Sequence, residues 1–249
     1  MRRRAAGVLA VLALAVGPRA AEVDAPGDRL VFAQIRHAGD WDPYPEAWSS
    51  AAALLRNATS LDPWPARRVV SLDGDALPES PFLVLAGRGD PELTDGEVAR
   101  LREHLRAGGF LWIDNTEGGA SNPFDRAAQA LPSRLFPSET WRPVPADHAL
   151  FRSFFLLPRA GGRRQTDGRL WGLWAGDRLV AVYDRNDVLG ALARDRVGQP
   201  LYPCEPGGEG QRREAQKTFT NIVLFALTGT YKTDAVHQPF LERRFRERP

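Results

Sequence analysis

Residues 81–114, PFLVLAGRGDPELTDGEVARLREHLRAGGFLWID, decide how this chain folds. Pro81 to Ala86 is an apolar run that ends in Gly87-Arg-Gly-Asp90. Such a run suits a strand buried on both faces. Thr94 and Glu97 then form a capping box, each side chain placed to bond the other's backbone N–H. Val98, Leu101 and Leu105 mark one helix face, and Gly108-Gly109 ends it. Phe110 to Asp114 is a second strand immediately after. Strands that alternate with helices imply a parallel sheet covered on both faces.

The same pattern extends outward. Leu30 to Arg36 reads as a buried first strand, followed by the loop His37 to Pro43. Ala47, Ala51, Leu54 and Leu55 recur at helical spacing, and Arg68 to Leu72 reads as a short strand. Downstream, the glycine-rich polar loop Asn115 to Asn122 leads to Pro123, a good first helical residue. The second half changes character. Leu170 to Trp174 and Leu179 to Tyr183 flank a turn at Gly176-Asp177 and predict an antiparallel hairpin. Leu189 to Leu192 suggest a short helix. The last strong element is a helix over 211–228, with Phe219, Ile222, Val223, Ala226 and Leu227 on its apolar face and Gly229 as its cap. Neither an internal repeat nor a long linker is present. The expected fold is α/β, a mostly parallel sheet with helices on both faces plus an antiparallel hairpin. It forms a single domain over 22–249, with a charged tail after Tyr231 on its surface.

Composition excludes several classes of protein. The 249 residues carry 33 basic and 31 acidic side chains, a net charge of +2, with 43% hydrophobic and 26% charged residues. Disorder needs lower hydrophobicity and unbalanced charge. A nucleic-acid binder usually shows excess positive charge. Lysine occurs only at Lys217 and Lys232, so nearly all the basic residues are arginine. That bias follows from base composition, or serves planar contacts to carboxylate and phosphate. The lone Cys204 excludes an intramolecular disulfide.

The N-terminus predicts a signal peptide over 1–21. Met1 to Arg4 is basic, Ala5 to Val16 is apolar, Gly17 and Pro18 break the run, and Ala20 and Ala21 are small. The run is shorter than the ~20 residues a spanning helix needs. Arg19 near the cleavage point leaves an uncleaved anchor as the alternative. No cysteine near the junction offers a lipoprotein anchor. The expected location is outside the cytoplasm, in a periplasm, with no integral span after cleavage. Cleavage removes Arg2, Arg3, Arg4 and Arg19 and no acid, which takes the net charge from +2 to −2.

Ligands in open parallel sheets bind beyond the carboxyl ends of the strands. The loops leaving those ends carry His37, Asp40, Trp41 and Asp42; then Arg88 and Asp90; then Asp114, Asn115 and Glu117. Asn186 and Asp187 close the hairpin. Gly39, Gly87, Gly89, Gly118 and Gly119 accompany them and permit close backbone approach to a ligand. A metal reading combines His37 with the aspartates. The plainer reading has Asp40, Asp42 and Asp114 capping helices and turns. A nucleophile elbow G-x-S-x-G is absent, Ser121 lacks its spacing, and Cys204 lies outside any strand–helix turn. His104 is expected in solvent, and His148 faces either core or cleft. Trp112, Trp171 and Trp174 read as core, whereas Trp41 sits in a loop. No residue is assigned as catalytic or as a metal ligand, and no cofactor is expected.

At these residues the sequence resembles a bacterial family, domain of unknown function 4159. The matching stretches are Phe32-Ala-Gln-Ile-Arg36 with Gly39-Asp-Trp41, Pro81 to Gly87, Leu93-Thr94 through Gly109 to Asp114, Asp147 to Arg152, Asn186-Asp187, Asn221 to Lys232, and Val236-His237. The family is placed with class I glutamine amidotransferase-like proteins. The resemblance therefore implies a flavodoxin-like sheet. It implies no activity, because those enzymes use an elbow cysteine and the comparable strand here runs Trp112-Ile-Asp-Asn-Thr-Glu117 without one. It implies a non-catalytic relative and a protein partner in a membrane-associated system. The expected function is an exported binding module that recognises a protein or a small polar ligand. The alternative is a metal- or carboxylate-dependent hydrolase that uses the strand-end cleft.

Overall fold

The computed structural model describes residues 29–233. The expected signal segment and the tail from 234 onward lie outside the described residues. Seven strands form one sheet in the order β2-β1-β3-β4-β7-β6-β5. β1 (Ala33–Ile35), β2 (Arg68–Val70), β3 (Phe82–Gly87), β4 (Phe110–Asn115) and β7 (Arg178–Asp184) run parallel. β6 (Trp171–Ala175) and β5 (Arg142–Pro143) continue the sheet antiparallel. β3 and β4 are buried along their full lengths, as unbroken apolar runs require. The hairpin is present, and β7 has a second role as the parallel neighbour of β4.

Two apolar clusters cover the two faces. α1 (Ala47–Ala58), α4 (Val188–Leu192) and α5 (Gly208–Thr233) pack with Phe32, Val84, Trp112 and Val182. α2 (Asp95–Arg106) and α3 (Pro123–Leu135) pack with Ile35, Leu83, Leu111 and Ile113. The alternation of one strand residue up and the next down separates the clusters. In α2 the capping box forms as the sequence predicts. Thr94 Oγ1 accepts from Glu97 N at 3.2 Å, and Thr94 N donates to Glu97 Oε2 at 2.8 Å. Asn122 caps α3, with Pro123 at the first turn.

Three expectations change. β1 and β2 are shorter than their apolar stretches, three residues each. α5 starts earlier than predicted and runs through Gly229 to Thr233. A single helical glycine costs about 1 kcal/mol and does not oblige a stop. His104 is half-buried, not free in solvent: its Nε2 is buried, because the ring lies against Gly109, where no Cβ stands in the way.

Arginine has a recurring structural use. Arg102 donates to Arg134 O and Leu135 O at the end of α3, both at 2.6 Å. Arg178 donates to Leu105 O and Gly109 O after α2. Arg212 donates to Ala191 O and Tyr202 O, both at 2.7 Å. Helix ends leave carbonyls without partners, and a forked cation answers two at once. The planar contacts expected of arginine are thus made largely within the chain.

Candidate functional site at the carboxyl ends of the strands

The chain leaves β1 for β2 on one side and β3 for β4 on the other, so a gap opens between β1 and β3 at their carboxyl ends. The chain fills that gap itself. Asp40 N donates to Arg88 O at 3.1 Å and Arg88 N to Asp40 O at 2.9 Å, a two-residue antiparallel bridge. Ala38 N reaches Pro91 O at 3.3 Å. A Cβ on Gly39 would stand 2.7 Å from Asp90 O, and one on Gly87 would stand 2.5 Å from Asp40 O. These glycines allow close backbone approach, but the backbone they admit is the protein's own.

His37 sits beneath this bridge. Its Nε2 lies 3.2 Å from Ala86 O, so Nε2 carries the proton. Burial holds its pKa below the usual 6.5, and Nδ1 has no partner. Glu117 accepts from Gly89 N at 2.8 Å, and Thr116 Oγ1 donates to Gly87 O at 2.7 Å. The loops after β1, β3 and β4 therefore converge as expected, into bonds with one another.

A second cluster lies at the ends of β4 and β7. Asp114 and Asp184 are partners in register, and both are fully buried. Asp114 accepts from Val188 N at 3.0 Å and from Leu189 N at 2.8 Å, the first amides of α4. Asp187 caps the same helix by accepting from Gly190 N at 3.0 Å. It also accepts from Tyr44 Oη at 3.0 Å and pairs with Arg163. Asp184 Oδ1 accepts from Asn186 N and Nδ2, both at 2.8 Å, while its Oδ2 is buried without a partner.

Burial raises all three carboxyl pKa values. Asp114 is raised well above its ordinary value by desolvation and by its neighbours Asp184 and Asp187. Asp184 is pushed up to about 7, mainly by burial. Asp187 is pushed up to about 6 by burial, with Arg163 and Tyr44 pulling the other way. Tyr44 rises to about 12 through burial and the Asp187 charge. Desolvation and like charge disfavour the ionised form of closely placed acids. Asp187 also adopts left-handed backbone, φ 58, at the strand-to-helix turn. That conformation costs a non-glycine residue of order 1–3 kcal/mol, which the surrounding bonds must offset.

The remaining predicted residues serve local structure. Asp42 pairs with both terminal nitrogens of Arg67, whose guanidinium lies 5.2 Å from the Trp41 ring. Asp90 accepts from Glu92 N at 2.9 Å in a turn. Asn115 donates to Gly119 O, Asn122 Oδ1 and Tyr183 Oη. Asn186 holds the 166–167 loop through Thr166 N, Asp167 N and Asp167 O. Asp40 and Arg88 keep exposed heads 3.8 Å apart. Of the three capping aspartates in the plainer reading, Asp114 caps α4, together with Asp187, whereas Asp42 and Asp40 face Arg67 and Arg88. His148 caps a short 3-10 turn at Ala149–Arg152, with its ring 5.3 Å from Phe225. Cys204 is buried and free, and burial raises its thiol pKa.

Sequence reasoning missed Tyr44 and Arg163. Tyr44 follows the predicted loop by one residue beyond Pro43. Arg163 follows Gly161-Gly162, and a Cβ on Gly162 would collide with Asn186. That glycine pair was the available signal of a loop pressed onto the turn after β7.

Among the described residues, no group of three His, Cys, Asp or Glu side chains is placed to hold a metal ion. No described helix is long and apolar enough to cross a membrane. A cavity of about 250 Å³ lies beside the bridge, lined by Asp90, Pro91, Glu92 and Phe124 among others, whereas cavities of about 810 and 410 Å³ are lined by residues outside it.

Fold and site together define a mixed α/β protein whose mostly parallel sheet carries a sealed polar cluster at its carboxyl end. The chain belongs to the family described as Domain of unknown function (DUF4159), whose model matches residues 31–227. No curated protein matches the chain.

Proposed function

We propose that this protein is a non-catalytic binding module of a cell-envelope system, exported by its N-terminal segment to the periplasm and held there by a protein partner. One observation carries the reading: the strand-end groups are consumed by internal bonds. Both oxygens of Asp114 and of Asp187 have donors, Asp184 is sealed from solvent, and the β1–β3 gap is bridged. Reacting groups need an accessible place for substrate. Exposed charge at this end belongs to Asp40, Arg88, Asp90 and Glu92, a polar surface suited to a protein face. The parallel strands in the order β2-β1-β3-β4-β7 follow the flavodoxin-like 2-1-3-4-5 winding, which supports the flavodoxin-like and glutamine amidotransferase-like assignment.

A second reading, a carboxylate-dependent hydrolase, is favoured by Asp187, a left-handed acid on a strand-to-helix turn next to Tyr44. One experiment separates the two. The full chain is recovered from native envelope fractions beside an Asp40→Arg/Asp90→Arg variant, and both are assayed for ester and amide hydrolysis. A defined partner that co-purifies with the first and is lost from the second supports the module. Turnover abolished by Asp187→Asn, with no such partner, replaces it with the hydrolase.

A further inference from the structure

We propose an anion-binding site at the opposite end of the sheet, in the cavity of about 810 Å³ between the carboxyl end of α2 and the turns before β3. That volume lies in the range of small-molecule pockets. Its basic lining is Arg100, Arg106, Arg178 and His104, and its apolar lining includes Leu77 and Pro81. Asp75 and Glu103 also line it, so the balance is one net positive charge with His104 neutral.

Among the described residues, none of the three guanidinium groups has a carboxylate within ion-pair distance. By contrast, Arg163, Arg185 and Arg212 each have one. Arg178 is the critical group. Its two bonds go to the carbonyls of Leu105 and Gly109, and a guanidinium has five N–H donors, so three remain. Its pKa is lowered by desolvation, with no acid acting against it. A partly buried cation without a counter-charge is unusual, since buried charge is ordinarily paired. His104 lines the same wall with its ring, while its Nε2 is buried against Gly109 and turned from the cavity. A guanidinium with three spare donors, beside Arg100 and Arg106 in one cavity wall, points to an oxyanion. The apolar residues point to a compact organic molecule that carries it, as a carboxylate or a phosphate. Carbonyl capping at the negative end of α2 uses two of the Arg178 donors and leaves three for a ligand. The site lies at the amino ends of the strands, so it stands or falls apart from the strand-end reading.

Calorimetric titration of the full chain with citrate and with glycerol 3-phosphate, using glycerol as the uncharged control, tests the site. The two anions distinguish a carboxylate preference from a phosphate preference. The expected result is saturable binding of at least one anion and none of glycerol. Arg100→Gln/Arg106→Gln is expected to weaken that binding about tenfold or more, and Arg178→Gln about tenfold, as loss of charge-assisted bonds requires. If Arg178→Gln fails to fold by circular dichroism, the double variant decides, because its side chains stand at the surface. No saturable binding of either anion, or binding that the double variant leaves unchanged, overturns the proposal.

Discussion

Asp184→Asn is expected to stabilise this protein at pH 8 and to give no gain at pH 5. Asp184 is fully buried, and its Oδ2 has no donor. Its carboxyl pKa stands at about 7 in the fold against an ordinary 3.8. Between about pH 4 and about pH 7 the folded protein keeps a proton that the unfolded chain releases, so stability falls as pH rises through that window. The full difference amounts to about 4 kcal/mol above pH 7. Asparagine keeps Oδ1 for the two Asn186 donors and never ionises. Its amide nitrogen replaces the unpartnered oxygen and goes unpaired, a cost of about 1–3 kcal/mol. The net gain at pH 8 is therefore roughly 1–3 kcal/mol, the difference of those two quantities. His37, His104 and His148, whose pKa values are lowered by burial, oppose the trend on acidification. They are common to both proteins and cancel in the difference. Urea midpoints of both proteins at pH 5, 6, 7 and 8 give that difference directly. A variant destabilised by the same amount at every pH would refute the reasoning, because Asp184 would then be held ionised by a favourable partner.

Three further outcomes are expected. Gly87→Ala forces a Cβ against Asp40 O and His37 Nε2, and costs about 1–3 kcal/mol in calorimetric unfolding by overpacking a backbone contact. Asn221→Leu removes the acceptor for Phe154 N and Phe155 N and the donor to Leu150 O and Phe155 O; a loss of about 3 kcal/mol and faster proteolysis near 153–158 follow. Thr94→Ala deletes one half of the α2 capping box and lowers stability by about 1 kcal/mol, measurable in urea.

The β3–α2–β4 unit was legible because its signals are local: two apolar runs, a capping box and a glycine pair within 34 residues. The hairpin of β6 and β7 was legible for the same reason. That β7 returns to lie parallel to β4 was not, because a strand's own pattern does not name its neighbour. Site positions followed from the strand ends, so Asp114 and Asp187 were found. Tyr44 reaches Asp187 across 143 residues, and Arg163 arrives from an irregular loop. Neither carries a periodic or spacing signal. The glycines at 39 and 87 announced a close approach, but glycine is equally permissive to a ligand and to a neighbouring backbone, and here the backbone occupies the space. His104 was misplaced because the helix pattern says nothing of the residue it leans on after the helix has ended.

The two bonds from Asp114 to the start of α4 span 74 and 75 residues of chain. They impose an order on synthesis. A nascent chain that has made β1 to β4 already contains a strand buried on both sides in the finished fold, with an acid at its tip. That acid has no amide partners until Val188 and Leu189 exist, and the β7 edge of β4 has nothing to pair with until Arg178–Asp184 are made. The first half therefore has a sheet it is unable to close, and chains cut anywhere before Arg178 keep both an open edge and a bare carboxylate. The tertiary structure waits on its last third, whatever route takes the polypeptide to its destination.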